Sequence, residues 1–254
     1  IVTAPVTVSQ STFTGSHVVF NSNDLRAPLT LTSVDATSTT DVNGAGLLFT
    51  AITAAATTIS ISACSFTGTG LGILFTAALP AGTTTTLSGV RAESTGIGGH
   101  QPTRFAAVAG AVSITGSTFI QNDATVAGLW FQGTITAAVT IADSTVASGH
   151  NGLTFSDLQA PLKVTNVDVT AAANGNGLSI LAASAAATTI DISGGSFSGI
   201  EHGIILPALN AATTLKLTGV AAEASGTYQA LRFDGPVAGP VIIKGGTYKQ
   251  TAAS

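Results

Sequence analysis

The chain has one cysteine, Cys64, so no disulfide can close within it and no cysteine-rich metal site can be built. It has no methionine, and only 8% of its 254 residues are charged. The eight lysines and arginines do not cluster, and the net charge is −4, which leaves no basic footprint for nucleic acid or an anionic membrane. The apolar runs are short and broken by Thr and Gly, so none is long enough to insert in a bilayer. The opening IVTAPVTV alternates like a strand and carries no basic leader region, which predicts a processed chain or a piece of a longer one. No Asn-x-Ser/Thr sequon is present.

What is abundant is Gly, Ala, Thr and Ser, within a composition that is 45% hydrophobic. Such a chain can bury a sizeable core, and its glycines and β-branched residues disfavour helix. An all-β fold is the expectation.

Residues 57–75 read TTISISACSFTGTGLGILF and residues 188–206 read TTIDISGGSFSGIEHGIIL, with ten of nineteen letters identical. The similarity extends outward: DLRAPL from Asp24 matches DLQAPL from Asp157, and GVRAE from Gly89 matches GVAAE from Gly219. A single domain over 1–254 is expected, built by duplication of a five-coil block, 5–137 and 138–254. Cys64 corresponds to Gly195 in the second block, which marks it as a tight structural position, not a reactive thiol.

Within each block, apolar-x-apolar segments (VTV from Val6, LTL from Leu29, ISI from Ile59, IDI from Ile190) open units of about 23 to 30 residues. A second stretch follows after a Gly, Ser or Asn turn, then a third of the form G-[LI]-x-[FIL], as in GILF from Gly72 and GLTF from Gly152. Period-two alternation places two columns inside. One is Phe20, Phe49, Phe75, Phe105, Phe131, Phe155, Ile180, Leu206 and Phe233. The other is Phe13, Ala36, Phe66, Ala92, Phe119, Val146, Val169, Phe197, Ala222 and Tyr248. Columns of this length predict a right-handed parallel β-helix solenoid of about ten coils of three short strands. At a rise of roughly 4.8 Å per coil it would form a rod of about 48 Å.

This coil pattern resembles right-handed β-helix surface proteins: autotransporter passenger domains, polymorphic outer-membrane proteins and the repetitive surface proteins of some protists. The segment FIQN from Phe119 is similar to the F-x-x-N repeat of the polymorphic membrane proteins, although their G-G-A-[IL] partner motif is absent. The resemblance implies display outside the cell or at its surface, as a stalk, adhesin body or filament shaft.

The rival expectation is a polysaccharide-binding or polysaccharide-cleaving β-helix. Glycoside cleavage needs paired carboxylates and lyase sites need clustered Asp, whereas the twelve acids are scattered. No catalytic, cofactor or metal site is therefore expected. Glu201-His202 replaces Gly70-Leu71 of the first block and reads as a turn-exposed polar pair. His17 and His150 recur in equivalent turns, again without a ligand partner at metal spacing.

Two outward columns remain. On the first strand Thr7, Thr30, Ser60, Thr86, Ser113 and Thr140 form a hydroxyl row, which gives ice binding as a minor alternative. The row ends in Lys163, Asp191 and Lys216, a ladder of opposite charges. On the third strand the outward letters are Val19, Leu48, Leu74, Arg104, Trp130, Thr154, Ser179, Ile205 and Arg232. Leu48, Leu74, Arg104, Trp130, Ile205 and Arg232 form the expected contact face, with the Arg104 guanidinium placed to stack on Trp130. Its partner is expected to be the protein itself, head to tail or laterally, another surface protein, or carbohydrate.

Overall fold

The computed structural model describes all residues except 41–43, 55–56, 97–99, 185–187 and 252–254. Every paired strand runs parallel to its neighbours, and the strands collect into one sheet of 18 and one of nine. The architecture is a right-handed parallel β-solenoid. It has nine full turns, each contributing one strand to the nine-stranded sheet, and a tenth coil begun by Val241–Lys244 and Thr247–Gln250. The expected three strands per coil are present; in the first two coils the first and second merge into single strands, Val6–Gly15 and Leu29–Ser38.

Register places the second inward column as the alternation predicts. Ala36 pairs with Phe66, Phe66 with Ala92, Ala92 with Phe119, and the series continues through Ala222 to Tyr248. Large and small side chains alternate along its first half, which lets rings fill the space that alanines leave.

The first inward column contains five stacked phenylalanines. Phe49, Phe75, Phe105, Phe131 and Phe155 are each 0% exposed, with successive ring centroids 4.6 to 4.8 Å apart and planes within 11°. Aromatic pairs elsewhere favour offset or edge contacts, but here the inter-strand spacing of about 4.8 Å sets the ring separation. Phe20 does not belong to this column. It pairs with Leu47, while Ser22 pairs with Phe49, and the Phe20 ring meets Phe13 edge-on at 6.2 Å. The slip is by two residues, so it preserves which side chains face inward.

The bend between first and second strands has one recurring device. Each of the ten coils carries a residue in the left-handed region there: Gln10, Ser33, Ala63, Gly89, Gly116, Asp143, Asn166, Gly194, Gly219 and Gly245. From Val34 to Val220 the next residue is buried at the corner wherever it bears a side chain, and Cys64 is one of these. Its Sγ accepts the Val34 N–H at 3.3 Å and its thiol donates to the Ser62 carbonyl at 3.1 Å. Ser117 and Ser144 do the same, accepting the N–H groups of Val90 and Ser117 and donating to Thr115 and Ala142. Cys64 thus fills a serine's role, and burial pushes its thiol pKa up. Gly195 is glycine for a different reason: its φ is +73°, and a Cβ would lie 2.2 Å from the Val167 carbonyl oxygen.

The motif glycine entering the third strand is required by space. A Cβ on Gly152 would meet Val169 Cγ1 at 2.0 Å and the Gly177 carbonyl oxygen at 2.6 Å, and one on Gly72 would meet the Pro102 carbonyl oxygen at 2.7 Å. The corner draws the chain against the second strand, and only hydrogen fits.

Candidate contact face on the nine-stranded sheet

The outward column of this sheet is continuous from Leu48 through Leu74, Arg104, Trp130, Thr154, Ser179, Ile205 and Arg232. At its start Asn21, not Val19, stands beside Leu48, through the same two-residue slip that moves Phe20.

The column is neither uniformly exposed nor uniformly apolar. Leu74 is 8% exposed and forms a small outer cluster with Ala45 and Leu71, against which Val18 and Leu48 pack. Farther along, Arg104, Trp130, Ile205 and Arg232 are half-buried. Between them Thr154 and Ser179 are buried at 5% and 1% exposure. Flanking residues border the column in two places, Gln101, Val126, His150, Asn151 and Leu181 around Trp130, and Leu181, Ala182, Ser184 and Ala208 around Ile205, so that part of it lies in a trough.

Trp130 is held by its indole N–H, which donates to Ser156 Oγ at 3.1 Å. Arg104 stands on the adjacent strand, in register with Trp130. Its Nε is buried without an acceptor, and burial alone draws its pKa down. Among the described residues no carboxylate pairs with it. The Thr154 hydroxyl is likewise buried without a partner.

At the far end Arg232 bonds to Asp234, two residues on, and its Nη1 lies 3.3 Å from His202 Nε2. His202 is 2% exposed, so the expected turn-exposed pair is corrected here to one half-buried acid, Glu201, and one buried imidazole. An arginine can only donate, so Nε2 accepts, and the Nδ1–H of the neutral ring donates to the Gln229 carbonyl at 3.0 Å. Tyr228 packs against the ring edge-on at 5.3 Å.

His202 belongs to a polar series that the alternation missed, at the residue before the motif glycine or before Pro102 and Ala230, which stand in the glycine's place in two coils. From the fourth coil on it is Gln101, Ala127, Asn151, Asn176, His202 and Gln229, whereas Ala45 and Leu71 hold it in the second and third. Asn176 donates its backbone N–H and its Nδ2–H to Asn151 Oδ1 at 3.0 and 3.2 Å. For Asn151, Asn176 and His202 the signal was in the sequence, one letter before G-[LI].

The other outward features lie where expected. The hydroxyl row runs in register from Thr7 to Thr140. Lys163, Asp191 and Lys216 are neighbours in register, yet the ion pairs among the described residues join Arg26 to Asp24, Arg91 to Glu93 and Arg232 to Asp234, each two residues apart. A solvated lysine gains little by holding one geometry. His150 is half-buried beside Asn151, and its backbone N–H bonds to Ser148 Oγ; His17 is exposed. No group of three or more potential metal ligands is found among the described residues, and no helix is long and apolar enough to cross a membrane.

Compared with protein-family models, curated proteins and solved structures, the chain matches none. The parallel β-solenoid fold is consistent with the β-helix superfamily generally, and the repetitive architecture is consistent with a scaffolding module.

Proposed function

We propose that this solenoid is a non-enzymatic structural segment of an extracellular or cell-surface repetitive protein, serving as stalk, adhesin body or filament shaft. The observation that supports this most is the unbroken core. Two sheets run the length of the chain, and the five-ring phenylalanine stack couples coils 2 to 6 with no interruption for a site. Each coil contacts mainly its neighbours, so the design extends by repetition and resists bending.

Contacts would be of two kinds in this reading. The first is stacking on another solenoid, since parallel coils pair along strand edges wherever one repeat meets the next. The trough around Arg104, Trp130, Ile205 and Arg232 would take a second surface protein or a saccharide, and the residues lining its Trp130 cleft include no carboxylate, which favours binding over cleavage.

Intact cells that make the protein, treated with a membrane-impermeant biotin reagent, should yield this chain among the labelled proteins. Labelling only after lysis would overturn the surface reading.

A further inference from the structure

The cleft over Trp130 occupies about 250 Å³ and is bounded by Gln101, His150, Asn151, Thr154 and the 60%-exposed Leu181. It combines a fixed aromatic plane with amide, imidazole and hydroxyl groups at its rim. That pairing suits a ligand with one apolar face and a polar circumference, which is the character of a pyranose ring. The volume is that of a single ring rather than of an extended apolar segment.

Two further observations point to an occupant. Thr154 is 95% buried by its 5% exposure, lines the cleft, and leaves its Oγ1 without a partner. A buried hydroxyl with no hydrogen bond is costly unless something completes it. One strand away, Arg104 presents a half-buried guanidinium that pairs with no carboxylate among the described residues and an Nε lacking an acceptor. An uncompensated, partly desolvated cation beside an aromatic platform calls for an anionic group on whatever rests there.

We propose that the cleft binds one pyranose ring of an acidic saccharide, stacked on the Trp130 indole, accepting and donating hydrogen bonds with Thr154 and the rim amides, its carboxylate turned toward Arg104. A nucleobase could also stack on indole, but the chain's sparse, unclustered basic residues offer no track for its phosphates. The proposal requires nothing about where the protein resides, so it stands or falls separately from the surface reading.

Trp130 is the only tryptophan, so its emission reports on this cleft alone. The intact chain is titrated with tetramers of mannuronate and galacturonate and a hyaluronan tetrasaccharide, with cellotetraose and a thymidine tetranucleotide as comparisons. A saturable emission change with at least one uronate-containing tetramer, about tenfold weaker with cellotetraose, is expected. Calorimetry on Arg104→Gln and Thr154→Val should show about tenfold weaker binding of the same tetramer. Thr154→Val should meanwhile melt no lower than wild type, because valine removes an unpartnered hydroxyl at nearly constant volume; a hydroxyl with a purely structural role would instead cost stability. No saturable change with any of the three acidic probes, equal binding of cellotetraose, binding of the nucleotide alone, or undiminished binding by both variants would each overturn the proposal.

Discussion

Phe105 and Phe131 lie face to face, their ring centroids 4.8 Å apart and their planes 7° from parallel, each fully buried. They lie inside a five-ring stack, and each of the two contacts a ring above and a ring below. Removing one therefore opens a cavity flanked by two rings that the sheet holds in place. Phe105→Ala should cost about 3 to 5 kcal/mol through the transfer and cavity contributions together. Chemical denaturation measures it, and a variant that unfolds like the parent would dissolve the stacking account.

Two glycines separate space from backbone conformation. Gly152→Ala should destabilise by several kcal/mol, on the order of an overpacked core, because its Cβ would overlap Val169 and the Gly177 carbonyl. At Gly219 no atom lies within 4 Å of an added Cβ, and only the φ of +63° resists it. Gly219→Ala should cost about 1 to 2 kcal/mol. Paired thermal melts check the order; equal losses would mean the third-strand entrance is looser than described.

Cys64 should be replaceable by serine and inert as a thiol. Ser117 and Ser144 already perform its two hydrogen bonds at the same corner, so Cys64→Ser should change stability by less than about 1.5 kcal/mol. Burial raises the thiol pKa and opposes thiolate formation, so a thiol reagent should react slowly with folded protein and promptly with unfolded. Fast labelling of the native chain would show an exposed corner.

His202→Ala should destabilise by about 2 to 3 kcal/mol, since it leaves the Gln229 carbonyl without its buried donor and empties the space beside Tyr228. Asparagine, which can still donate to that carbonyl, should recover part of the loss. If alanine melted like the parent, the imidazole would be a surface group, as its place in a turn would imply.

The inward columns were legible because period-two alternation and coil length together constrain every position from Phe49 to Phe155. Phe20 was misplaced because a slip of two residues keeps the parity that the pattern reads. The bend between first and second strands was visible as its Gly, Ser and Asn letters, but Gln10, Ala63 and Asp143 adopt the same conformation without that signature. His202 could not be read as buried, since its partners Gln229 and Arg232 lie a full coil further on. Thr154 and Ser179 were legible as outward and not as covered, because the turns that flank the trough obey no alternation.

A rigid shaft is the role proposed for this chain. Negative-stain electron microscopy of the intact protein, marked with an antibody against residues 1–254, tests it most directly. The mark should fall on the side of a continuous rod about 48 Å long for ten coils, at a rise of roughly 4.8 Å each. A mark on a compact globular head, or on a chain that bends freely within that length, would contradict it.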